Sequence, residues 1–256
     1  MPNNLSFLPL ICFAAALLSA TPGHAKRWND TEILIHRSTF EDVFNNEEFT
    51  ATVITFQHAS GWEFGTNFFF IDHVTTENDQ YFYGEWYPFF SGKDIAGWTF
   101  DGAIADVGLL MGFNAAPDVN SLKYLPGIQV NWNLPGFIFF STALTGFIDQ
   151  SEGDIAPKEE DSYMIDIVWN MPFRIAGHSF SFEGHTEYIG KRDLEDGSDK
   201  VRAWILAQPQ LRWDAGQSLF GEVNRLELGL EYQYFHNKLG TNKTENLLKL
   251  LFIWHI

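Results

Sequence analysis

Basic residues are scarce in this chain. Lysine and arginine number 16 against 33 Asp and Glu, a net charge of -17 over 256 residues. Such an acidic polymer repels phosphates, which excludes nucleic acid as a partner. It also lacks the basic excess of a soluble protein that docks onto anionic membranes. Cysteine is nearly absent: Cys12 stands alone, so there is neither a disulfide framework nor a thiolate metal site. Charged residues make up only 19% of the chain. No Asp-x-Asp-x-Asp-Gly loop is present, so the acidic stretches Asp149–Asp161 and Lys191–Lys200 read as solvated loops rather than calcium sites. No metal and no cofactor is expected.

Long apolar runs are missing past residue 26. The one such run, Leu5–Ala20, is about 16 residues, short of the roughly 20 a spanning helix needs. It leads into Thr21-Pro22-Gly23-His24-Ala25, whose Gly23 and Ala25 give the small-x-small pattern of a signal-peptidase site. Residues 1–25 are therefore expected to be a signal peptide and 26–256 the mature domain, beginning at Lys26. Without spanning helices, a membrane location requires a closed barrel.

What the chain has in abundance is aromatic residues, 16% of the total, with 25 Phe and 9 Trp. They fall at alternate positions. In 61–73, Trp62, Phe64, Thr66, Phe68 and Phe70 share one parity and Glu63, Gly65 and Asn67 the other, which predicts a ring-covered face toward lipid and a polar face inward. Tyr163, Ile165, Ile167, Trp169 and Met171 oppose Asp166 and Asn170. Phe180, Phe182 and Tyr188 oppose Ser181, Glu183, His185 and Glu187. Ile205, Ala207, Leu211 and Trp213 oppose Arg202, Gln208, Gln210 and Arg212. Leu226, Leu228, Leu230, Tyr232 and Tyr234 oppose Arg225, Glu227, Glu231, Gln233 and Phe235.

These periods predict about twelve strands, at 31–39, 47–58, 61–73, 80–90, 95–113, 122–133, 137–149, 161–172, 178–189, 201–213, 225–237 and 245–256. Their lengths suit a tilted bilayer crossing, which takes about 9–11 residues. Short turns near 59–61, 91–94, 133–136 and 175–177 alternate with longer, polar connections at 40–46, 74–79, 114–121, 150–160 and 190–200. The segment 214–224 is long where a short turn is due. The expected fold class is all-β: a transmembrane antiparallel β-barrel with short periplasmic turns and longer extracellular loops. Trp62, Trp86, Trp98, Trp132, Trp169, Trp213 and Trp254 lie near predicted strand ends or turns, as interfacial girdles require. The chain closes on an apolar, aromatic strand, Leu247–Ile256.

The order of several segments resembles the nucleoside-specific channel family, the Tsx-type outer-membrane porins. They are Ile33-Leu34-Ile35-His36-Arg37, the strands around Phe49–Phe70, and Glu85-Trp86-Tyr87-Pro88-Phe89-Phe90-Ser91, which is similar to that family's Glu-x-x-Pro-x-Phe-Ser strand end. Asn131-Trp132-Asn133-Leu134-Pro135, Asp161-Ser162-Tyr163 and Tyr232-Gln233-Tyr234-Phe235-His236-Asn237 follow. The resemblance implies a monomeric twelve-stranded barrel in the outer membrane whose narrow pore passes nucleosides by facilitated diffusion.

A nucleoside offers an aromatic face and hydroxyls without net charge, so a lining of rings and carboxylates or amides suits it. Passive conduction asks for weak, repeated binding. The expected pore-lining, substrate-binding residues are Tyr81, Tyr83, Glu85, Asp166, Glu183, Glu187, Gln208, Arg212, Glu231 and Phe235. Glu-Arg pairing that merely fills the lumen is the plainer role for each. Two alternatives stand beside the channel: a receptor or structural barrel with a closed lumen, and a lipid-acting hydrolase. For the hydrolase, Gly184-His185-Thr186 invites comparison with the Gly-His-Glu-Ser-Asn stretch of outer-membrane phospholipases, but Thr186-Glu187 lacks the serine next to the base. No catalytic residue is assigned, and the chain is expected not to be an enzyme.

Overall fold

The computed structural model describes residues 28–256 apart from 46 and 153–155, so the signal segment 1–25 and Lys26 lie outside the described residues. Alternation of side chains produces long antiparallel strands. They are β1 (Asn29–Asp42), β2 (Glu47–Trp62), β3 (Gly65–Thr75), β4 (Gln80–Ser91), β5 (Ile104–Ala116), β6 (Ser121–Trp132), β7 (Phe139–Asp149), β8 (Ser162–Ile175) and β9 (His178–Ile189). A two-residue hairpin, β10 (Arg192–Asp193) and β11 (Lys200–Val201), stands apart from the main sheet. Then come β12 (Trp204–Ala207), β13 (Gln210–Asp214), β14 (Leu226–His236) and β15 (Thr244–His255).

Each main strand pairs with its sequence neighbour, and β15 returns to pair with β1, so the sheet closes. Closure satisfies the backbone groups that lipid cannot. β12 and β13 both pair with β9 and β14 in one continuous register, Trp204↔Ile189 through Trp213↔Phe180. They form a single stave interrupted at Pro209, which has no N–H to give the ladder. The barrel therefore has twelve staves, as the periodicity predicts. Gly184, at φ +141°, lies against the Gln208 carbonyl where a Cβ would collide, which lets the strands approach at this break.

The closing seam is short. β1 pairs with β15 only from Glu32↔His255 to Ile35↔Phe252. Beyond it, side chains tie the edge: Glu245 Oε1 accepts from the Glu41 backbone N–H at 2.9 Å, and Lys238 Nζ donates to the Glu41 carbonyl at 2.9 Å.

Three predicted elements are corrected. The stretch 61–73 is not one strand. Trp62 pairs with Gly65 across a two-residue turn at Glu63-Phe64, so sequence parity inverts between β2 and β3. Phe68 and Phe70 face inward, where Phe70 meets the Tyr83 ring at 6.0 Å, while Phe69 and Ile71 face outward beside Phe56. The predicted strand 95–113 begins only at Ile104. Ser91 caps a short helix, Gly92–Ala96, by accepting from the Asp94 N–H, and Gly97 ends it in the left-handed region. The turn expected at 91–94 is thus a long connection. The predicted strand 201–213 starts at Trp204, because Lys200 and Val201 are taken by the small hairpin.

The outer face sorts its aromatics by height. Trp62, Trp132, Trp213 and Trp254 lie at strand ends on the rim where β1 starts and β15 ends, the terminus-side rim. Outward tyrosines Tyr124, Tyr163, Tyr188, Tyr232 and Tyr234 lie toward the far rim, and Leu109, Ile128, Leu144 and Leu250 are exposed between the two levels. An apolar band between two aromatic girdles is the lipid-facing pattern of membrane barrels. Such a closed barrel resists SDS until heated, so the folded protein is expected to migrate differently on a gel before and after boiling. Identical migration would contradict closure.

Candidate functional site

The inward face of the twelve staves is the candidate site, and its side chains form three levels. At the terminus-side level, Arg212 of β13 is the hub. Its guanidinium lies 3.0 Å from Glu32, 2.8 Å from Glu183 and 3.5 Å from Glu227, and it also donates to Gln210 at 2.7 Å. Arg212 and Glu32 are both buried. One planar cation thus ties β1, β9 and β14 to β13. His255 extends the group, 3.0 Å from Asp30 and 3.5 Å from Glu227.

The middle level holds most of the hydrogen-bonding capacity. The Tyr83 hydroxyl donates to Glu85 in a short contact, and the Tyr87 hydroxyl donates to Asn114 Oδ1 at 3.0 Å. Glu85 interacts electrostatically with Glu187 and His185, which project from β9 on the opposite side of the barrel. His185 bonds Gln208 at 2.7 Å and lies 3.9 Å from Asp166. Asn170, whose Nδ2 donates to Glu183 at 2.6 Å, belongs to the terminus-side level and has a buried Oδ1 without a hydrogen-bond partner; at the middle level the same is true of Asp166 Oδ1. Also at the middle level, Lys249 donates to Glu231 at 2.7 Å and to Gln233 at 2.8 Å, and Gln208 donates to Gln233 at 2.8 Å. Asp72 accepts from Thr55 further round the wall.

The far level is apolar. Leu125, Phe147, Met164, Ile189, Trp204 and Phe235 form one buried cluster, with Tyr87 and Leu206 against it. Arg192, at the base of the small hairpin, places its guanidinium 4.8 Å from the Phe147 ring centre and 4.3 Å from that of Trp204. Its Nε donates to Glu159 at 2.7 Å. Lys123 bridges Asp149 at 2.5 Å and Glu159 at 3.1 Å. Glu159 and Arg192 thereby tie the described parts of connections 150–161 and 190–203 to each other and to β6 at this end. Within them, the exposed Lys158 ammonium is held above its ordinary range by its hydrogen bond to Glu195.

All ten residues expected from the sequence lie on inward positions, but at different levels. Glu183 and Arg212 belong to the terminus-side network. Tyr83, Glu85, Asp166, Glu187, Gln208 and Glu231 share the middle level. Phe235 belongs to the apolar cluster, and Tyr81 packs beside Val53 and Val74 on the opposite wall. Sequence reasoning missed Glu32, Asn114, Trp204 and Lys249. Lys249 had a signal: it is the one charge within Leu247–Trp254, flanked by Leu248 and Leu250 of opposite parity.

The hydrolase alternative finds no support in this geometry. The Ser181 hydroxyl donates to Glu183 at 3.0 Å, whereas His185 pairs with Gln208, so the two are not joined as nucleophile and base. Among the described residues, Asp30, Glu32 and His255 could gather around a metal ion, yet the Arg212 guanidinium already occupies Glu32.

No family model matches this sequence, and no curated protein matches it at significant similarity. Solved structures do. The chain is similar to the NanC porin at 12% identity, with a TM-score of 0.51 over 88% of this chain and 100% of that one. A membrane protein solved in work on in-meso crystallization aligns at 11% identity and TM-score 0.45, over 89% and 84% of the two chains. Pseudomonas aeruginosa OccK8 (OprE) aligns at 9% identity and TM-score 0.28, over 90% and 98%. At these identities the likeness shows the fold: a porin-type β-barrel.

Proposed function

We propose that the protein is a narrow channel of the outer membrane that passes small polar solutes without net charge, nucleosides first among them. The observation that carries this reading is the middle level, where Tyr83 and Tyr87 set rings and hydroxyls beside Glu85 and opposite Asp166, His185 and Glu187. Carboxylates outnumber cations on the inner wall, which disfavours anionic solutes. The unpartnered oxygens of Asp166 and Asn170 are acceptors suited to a sugar's hydroxyls. Stacking on a ring adds about 1–3 kcal/mol per base in single-strand binders. The barrel is also smaller than the 16–18-stranded porins that leave open aqueous channels.

The test is current through purified protein in planar bilayers, with nucleosides, sugars and amino acids added in turn. Nucleosides are expected to block the current, and Tyr83→Ala or Glu85→Gln to weaken that block. Equal block by all solutes would leave a general small pore.

A second reading has its own observation. The far-level side chains of Leu125, Met164, Ile189, Trp204 and Phe235 are all buried, which favours a barrel with a closed lumen. Absence of any conductance, with the fold intact by gel shift, would decide for it.

A further inference from the structure

The terminus-side rim differs from the far rim in one respect: four of its five connections, and the strand end before the fifth, carry an exposed large apolar side chain. The β2–β3 turn has Phe64, and the β4–β5 connection has Ile95 at 54% and Trp98 at 53% exposed. The β6–β7 connection has Ile138 at 71%, and Ile175 precedes the β8–β9 turn at 58%. The connection from β13 to β14 has Leu219, Phe220 and Val223, each at 60% or more. Trp28, the first described residue, and Ile256 add to them. On the far rim, only Phe44 and Leu239 among the described connections are of this kind.

Two of these connections are not plain turns. Each begins with a short capped helix, Gly92–Ala96 and Ala215–Phe220. The second sits on the rim, where Gln217 accepts from Ser179 at 2.6 Å and Ser218 turns to the outer face. Its Ser218 hydroxyl meets His178 at 2.8 Å and accepts from the Trp213 ring N–H at 3.1 Å, and Trp213 is an outward girdle residue. The apolar side chains after Ser218 therefore continue the lipid-facing surface past the strand ends. A cation also marks this level: Arg225 lies 4.6 Å from the Trp254 ring centre, the arrangement of a side chain whose stem is apolar and whose head reaches the lipid headgroups.

We infer that the terminus-side rim is a lipid-docking collar, with its exposed apolar side chains seated in the interfacial layer of the adjoining leaflet. The occupant is the lipid surface, because the collar is continuous with the girdle of Trp62, Trp132, Trp213 and Trp254 and encircles the barrel. A protein partner would need a patch on one side rather than apolar side chains spread round the whole rim. The inference rests on the barrel fold and not on conduction.

The experiment is spin labelling of the full chain in a Cys12→Ser background, in vesicles of phosphatidylethanolamine and phosphatidylglycerol. Labels are placed by Ile95→Cys and Phe220→Cys, with Leu250→Cys in the apolar band and Asp196→Cys in the far loop as references. Collisional accessibility to oxygen and to a water-soluble nickel chelate is read at each. The collar sites are expected to favour oxygen, as Leu250→Cys does. Nickel-dominated accessibility like that at Asp196→Cys would overturn the proposal, since the collar would then face water and await a protein. Heat-dependent gel migration checks that each labelled variant is folded.

Discussion

Arg212→Met is expected to destabilise the folded barrel by about 3–5 kcal/mol, the range for breaking a buried ion pair by removing one partner. The guanidinium is buried at 3% side-chain exposure and serves Glu32, Glu183 and Glu227 together. Methionine fills similar volume but leaves carboxylates facing one another without a cation. The group spans β1, β9, β13 and β14, so its loss weakens the region beside the short β1–β15 seam. Glu32→Gln combined with Arg212→Met is expected to recover part of the loss, because one repelling charge goes. The measurement is reversible urea unfolding in lipid vesicles, followed by tryptophan fluorescence. A loss under about 1 kcal/mol would mean that the network is hydrated and worth no more than an exposed pair.

The second large effect concerns the far level. Arg192→Leu and Trp204→Ala, alone or together, are expected to raise single-channel conductance several-fold over the unmodified protein. Arg192 joins the far-level apolar cluster to the loops: its guanidinium lies against the Phe147 and Trp204 rings, and its Nε donates to Glu159. Removing it breaks that tie, and removing the Trp204 ring opens space within the apolar cluster itself. Trp204→Ala also costs stability, about 3–5 kcal/mol for an aromatic truncated in a core, so Arg192→Leu is the cleaner variant. Unchanged conductance in both variants, in a protein that does conduct, would place the constriction at the middle level, where Tyr83, Glu85 and Glu187 would then set it.

The orientation in the membrane is open to a simpler check. If the loops around Lys191–Lys200 face the cell exterior, a tag inserted after Gly197 is labelled on intact cells. Labelling only after permeabilisation would invert the topology.

Sequence alone determined the number of staves and, on most of them, which face looks inward. Both are local properties, since a strand in lipid must alternate strictly and each long strand repeats its signal many times. The face assignments of β4, β8, β9 and β14 follow from this, and with them the inward placement of Glu85, Asp166, Glu187 and Glu231. Parity failed where a turn reset it. The two-residue turn at Glu63-Phe64 exchanges odd for even, and whether Glu63 and Phe64 form a turn or continue a strand depends on the pairing of Trp62 with Gly65. Tertiary structure alone decided which inward residues share a level. That depends on the relative register of strands far apart in sequence, which sets Glu32 against Arg212 and Glu85 toward Glu187. Parity already places Trp204 on the inward face with Gln208, Gln210 and Arg212; tertiary structure decided that it lies in the buried far-level cluster. Only its neighbours Phe147, Arg192 and Phe235 place its ring there.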